Sequence, residues 1–118
     1  SFQGLPTPVG PEDEGLDLSS AQWPSLAVDR ATVEDVFERY GLRDARVRFL
    51  EGWFRDTLPT APIAQLALLR IDGDLYSSTM DALESCYPLV APGGFVIVDD
   101  YWFIPQCRRA VDMIAAEP

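Results

Sequence analysis

The sequence predicts an α/β protein built on a parallel sheet. Three observations carry that reading. From Thr32 onward the chain alternates helix, strand, helix, strand, helix. Its two most apolar strands, Leu66–Ile71 and residues 95–98, are continuously hydrophobic instead of alternating, as strands covered on both faces are. Each then stops at carboxylates: Ile71 runs into Asp72-Gly73-Asp74, and Val98 into Asp99-Asp100. In open α/β sheets the carboxyl ends of the strands are where ligands sit, so two such ends side by side bring several negative charges to one rim.

The elements follow in order. The first 31 residues are a loop-rich entry. Ser1 to Pro11 is dense in Gly and Pro, Glu12-Asp13-Glu14 reads as a solvated acidic patch, and Trp23-Pro24 as an anchor point. Thr32 then reads as a helix N-cap with Asp35 three residues on. Val33, Val36, Phe37 and Tyr40 share one face of that helix, and Gly41 stops it. Arg46-Val47-Arg48-Phe49-Leu50 alternates like a half-buried strand that ends at Gly52-Trp53-Phe54. The strand Leu66–Ile71 leads to a helix from about Ser78, with Ser78 as its cap and Asp81 at the third position. Pro92-Gly93-Gly94 breaks that helix before the strand at 95–98, and residues 106–116 read as the last helix.

Composition narrows the chemistry. A chain of 118 residues, 47% hydrophobic and 24% charged, suits one globular core, so 1–118 is read as one unit, with 32–118 the alternating α/β part. The net charge of −10 argues against nucleic acid and against an anionic membrane, both of which it would repel. No apolar run reaches the roughly 20 residues of a membrane helix. Cys86 and Cys107 have no metal-ligand spacing and read as buried free thiols in a reducing cytoplasm. There is no His, which removes the commonest general base and zinc ligand. All nine basic residues are Arg.

Asp72, Asp99 and Asp100 fall on two strand ends that would be neighbours. Three crowded carboxylates repel, so a compensating cation is expected, and hard oxygen ligands favour Mg²⁺. Capping the following helices is the alternative use of such acids, and Asp74 is assigned that role. A strand ending Asp-x-Asp also resembles the aspartyl-phosphate phosphatases. That mechanism wants a Lys, absent here, and a wider separation of its acidic strands.

The segments SFQGLP, YGL, VRFLEGWFRDTLPTAPI, LALLRIDGDLYSSTMDAL, PGGFVIVDDY and CRRAVD recur in this order over nearly the whole chain. Together they resemble the macrocin O-methyltransferase family of macrolide-tailoring enzymes. The resemblance implies an incomplete doubly wound parallel sheet of the S-adenosylmethionine-dependent methyltransferase (Rossmann-like) type. It implies methyl transfer from S-adenosylmethionine to a hydroxyl of a sugar or natural product, with Mg²⁺ at the site. Carried over by motif, Asp72, Asp99 and Asp100 would be the metal ligands, with Asp72 the catalytic candidate. Ser1 and Phe2 would lie by the cofactor's ribose, and Gly52, Trp53 and Phe54 by its adenine. The proton acceptor is expected outside this chain. The partner is a small-molecule acceptor, assembly with further copies of the chain stays open, and the setting is cytoplasmic.

The family's first strand and its glycine-containing turn are not in this sequence, nor are its last strands. The expectation is therefore a central and C-terminal fragment that neither folds stably nor binds S-adenosylmethionine well alone. The competing reading is a non-catalytic remnant of the same fold that serves as an interaction piece.

Overall fold

A computed structural model describes residues 1–116, so the expected boundary at Pro118 lies outside the described residues. Two strands, β1 (Leu66–Ile71) and β2 (Val90–Val98), form a parallel sheet. Four helices accompany it: α1 (Arg30–Arg39), α2 (Phe54–Thr57), α3 (Tyr76–Cys86) and α4 (Pro105–Ala115). Single 3-10 turns cover Pro11–Asp13, Pro24–Leu26, Leu58–Thr60 and Tyr87–Leu89.

The core lies on one face of the sheet. Leu69 and Ile71 point from β1 onto Ala82, Leu83 and Cys86 of α3, with Val98, Val111 and Ile114 packed around them. Burying side chains of this size is worth roughly 1.5–3 kcal/mol each. Small residues let α3 and α4 approach: Thr79, Cys107 and Ala110 are wholly enclosed. The other sheet face differs from expectation. Leu68 and Ile97 are exposed, and Phe95 is 69% exposed, so among the described residues the two strands are covered on one side only. Both cysteines are buried and free, as their setting in the sequence suggested.

β2 begins earlier than its apolar run, at Val90, and carries Pro92-Gly93-Gly94 within it. The register breaks between Leu66 and Leu68, and the sheet absorbs the extra residues there as a bulge. Gly94 makes this feasible. A Cβ at that position would sit 2.8 Å from Val90 Cγ1, 2.9 Å from the Ala91 carbonyl oxygen and 3.0 Å from that of Ala67.

Four local expectations are corrected. Helix α1 is capped by Asp29, whose Oδ1 accepts from the Thr32 amide at 2.9 Å; Thr32 sits inside the helix and donates its hydroxyl back at 3.0 Å. Residues 46–50 are not a strand. Neither β1 nor β2 pairs with them, and Phe49 instead packs edge-on against Phe37 at 5.3 Å and Phe2 at 6.1 Å. Helix α3 starts at Tyr76, two residues before Ser78, with Leu75 at its N-cap position and no side-chain cap from there. The cap comes from Asp13, 63 residues away: its carboxylate accepts from the Tyr76 amide at 2.6 Å and the Ser77 amide at 3.1 Å. Asp13 is 0% exposed, so it is no part of a solvated acidic patch.

Candidate active site

The parallel register builds the acidic rim. Ile71 is level with Val98, and the Asp99 amide donates to the Ile71 carbonyl at 3.0 Å, so both acidic turns leave the sheet at one height. Asp72, Asp74 and Asp100 each bring a carboxylate oxygen within 4.8 Å of the others. Asp74 reaches this cluster through a left-handed backbone (φ 55°), tolerated by Asp better than by most residues. It does not cap α3, because Asp13 occupies that position. Asp99, although adjacent in sequence, turns to Arg70, whose Nε donates to Oδ1 at 3.1 Å while its terminal nitrogen meets Oδ2.

Charge crowding is visible in the acidities. Burial, then the Asp100 carboxylate, pushes Asp74 up to about 6. Asp72 is raised by burial and then by the charges of Asp100 and Asp99. Asp99 goes the other way, held low by its hydrogen bonds to Arg70. Among the described residues no donor reaches Asp100 Oδ2, although that oxygen is enclosed. Converging hard oxygens, raised carboxyl pKa values and an orphaned carboxylate oxygen are what a divalent cation would satisfy. The residues present fit one.

A cavity of about 400 Å³ opens beside the rim, with Asp72 and Gly73 in its wall. One side comes from the entry loop, through Ser1, Phe2, Leu5, Pro6, Leu26 and Val28. The other comes from Trp53, Phe54 and Arg55 at the start of α2, and from Ser77, Ser78 and Asp81 on α3. Four of the five residues expected near a cofactor therefore line one cavity. Gly52 stays off the wall; its backbone (φ 139°) makes the turn that delivers Trp53 and Phe54. Ser1 is held in place by donating its hydroxyl to the Gly4 carbonyl at 2.5 Å.

Sequence reasoning missed Asp74 as a member of the cluster and Asp81 as a wall residue raised by burial. For Asp81 a signal existed: Ser77 and Asp81 are four apart, hence on one face of a helix that begins at the acidic turn.

A parallel α/β unit with a carboxylate cluster and a ligand-sized cavity at its strand ends has the arrangement in which open α/β sheets bind ligands. Comparison with known proteins makes this particular. The family model described as macrocin-O-methyltransferase (TylF) matches residues 1–117, and the chain belongs to that family. It is 52% identical over 120 residues to demethyldecarbamoylnovobiocin O-methyltransferase of Streptomyces niveus, covering 99% of this chain and 45% of that protein. It is 51% identical over 116 residues to mycinamicin III 3''-O-methyltransferase of Micromonospora griseorubida, covering 94% and 45%. The solved structure of the O-methyltransferase NovP superposes with a TM-score of 0.93 at 50% identity, over 98% of this chain and 49% of that one. The chain spans about half the length of these relatives. No described helix is long and apolar enough to cross a membrane.

Proposed function

We propose that this chain forms the acid-bearing part of an S-adenosylmethionine- and Mg²⁺-dependent O-methyltransferase acting on a sugar hydroxyl of a natural product. The observation that carries the reading is the carboxylate cluster opening directly onto a cavity walled by Ser1, Phe2, Trp53 and Phe54. The Rossmann-like, doubly wound sheet belongs to the same proposal, with further strands of the whole enzyme extending the sheet at its edges and helices covering the bare face.

Asp72, Asp99 and Asp100 would hold Mg²⁺. Asp99 must leave Arg70 to do so, and that exchange costs little because the pair faces solvent, where ion pairs are weak. When bound, the cation supplies Lewis acidity toward the acceptor oxygen. S-adenosylmethionine, when bound, supplies the methyl group. The chain's own residues do the rest. Trp53 and Phe54 offer apolar faces to an aromatic base, and Ser1 and Phe2 close the opposite wall, which keeps water from the sulfonium. Positioning of this kind supplies much of the acceleration in a bimolecular transfer. Asp74, aimed into the cluster and outside the proposed ligand set, accepts the hydroxyl proton on a carboxylate oxygen. On this reading the base lies inside the chain, whereas the sequence reading expected it outside.

The test is a methyl-transfer assay on the full-length protein with Mg²⁺ and with chelator, alongside Asp72→Ala. Transfer should need the metal and fall at least about a hundredfold in the variant. Undiminished activity in either case would remove the metal assignment, and no transfer at all would favour the non-catalytic remnant. Mn²⁺ titration then sorts the ligands: Asp99→Asn should weaken binding more than Asp74→Asn, and the opposite order would put Asp74 among the ligands.

A further inference from the structure

The entry loop and the acidic rim are far apart in sequence, yet they form opposite walls of one cavity. Asp13 joins them. Its carboxylate is completely enclosed and accepts from the first two amides of α3, the helix that leaves the Asp72-Gly73-Asp74 turn. A buried carboxylate is costly without partners, and these amides are otherwise unpaired at a helix start, so each satisfies the other. Neighbouring contacts reinforce the join. Arg109 of α4 donates to the Glu12 carbonyl and stands 6.0 Å over the Tyr76 ring. Between Asp74 and α3 there is only Leu75, which is 0% exposed and whose amide donates to the Gly73 carbonyl at 2.6 Å. A shift of the α3 start is therefore felt at Asp74.

We propose that Asp13 is a positioning residue for the transfer site: it clasps the entry loop to the α3 N-terminus and so sets both the cavity width and the aim of Asp74. The proposal rests on the methyltransferase reading for its kinetic consequence and stands without it for the clasp itself. Asp29 is the natural control, since it caps α1 with the same chemistry and lies off the cavity wall.

The experiment compares wild type, Asp13→Ala, Asp13→Asn and Asp29→Ala as full-length proteins, by amide exchange and by steady-state kinetics. Loss of a cap of this kind should speed exchange at Tyr76 and Ser77 roughly tenfold in Asp13→Ala, with residues 1–9 loosened in parallel. KM for S-adenosylmethionine should rise about tenfold as the cavity widens and kcat should fall about tenfold as Asp74 loses its aim, and Asp13→Asn, which keeps one acceptor oxygen, should recover most of both losses. Asp29→Ala should lose similar stability and leave KM unchanged. Equal KM values in Asp13→Ala and Asp29→Ala, or unaltered exchange at residues 1–9, would overturn the proposal. If Asp13→Ala does not fold, Asp13→Asn decides by a smaller loosening that appears at Tyr76 and Ser77 and at residues 1–9 together; loosening at the helix start with none at residues 1–9 would overturn the proposal. Should wild type transfer no methyl group, the proposed function falls, and exchange at residues 1–9 still decides the clasp.

Discussion

Replacing Asp74 by Asn should stabilise the metal-free protein at neutral pH. The residue stands in the carboxylate cluster with a pKa raised from 3.8 to about 6. Because the folded value lies above the ordinary one, ionisation of Asp74 opposes folding. That penalty is absent below about pH 4, grows as pH rises through 6, and is complete at pH 7. A rise of about two pKa units corresponds to about 3 kcal/mol, and solvent screening of this half-buried group brings the expected gain down to about 1–2 kcal/mol. Asn also tolerates the left-handed backbone at this position, so the substitution adds no strain of its own. The assay is urea unfolding of both proteins in chelator at pH 4 and at pH 7. The two should coincide in acid and separate at neutral pH, with Asn the more stable. Saturating Mg²⁺ should narrow the gap, because the cation relieves the repulsion in wild type. A variant no more stable than wild type at pH 7 in chelator would refute the repulsion argument and with it the expected cation.

Two further outcomes test the scaffold. Gly94→Ala should cost about 1–3 kcal/mol in the same unfolding assay, since the new methyl meets two carbonyl oxygens at 2.9 and 3.0 Å that belong to the sheet backbone. A neutral substitution would show that the bulge relaxes freely. Arg70→Ala removes the partner of Asp99, and because the pair faces solvent, the urea midpoint should barely move. Mn²⁺ affinity should rise in that variant as Asp99 is released, and a fall in affinity would assign Arg70 a supporting role at the cluster.

Much of this protein was determined by its sequence alone. The run from Leu66 to Ile71 is a strand because its apolar residues fill one side of a core and its end is marked by Asp72-Gly73. The helical spacing of Val33, Val36 and Phe37 gives α1, and the order of motifs gives the family. Local pattern suffices in these cases because neighbours along the chain supply the interactions. The tertiary structure decided the rest. Residues 46–50 alternate like a strand, yet alternation describes a face, and a strand also needs a hydrogen-bonding neighbour that neither β1 nor β2 provides. Asp13 looked solvated because its partners are amides 63 and 64 residues away. At the acidic rim, counting carboxylates was enough to expect a cluster, but not to choose its members. That choice followed from the backbone turn at Asp74 and from Arg70, which lies one strand over from Asp99 and was close enough to draw it aside.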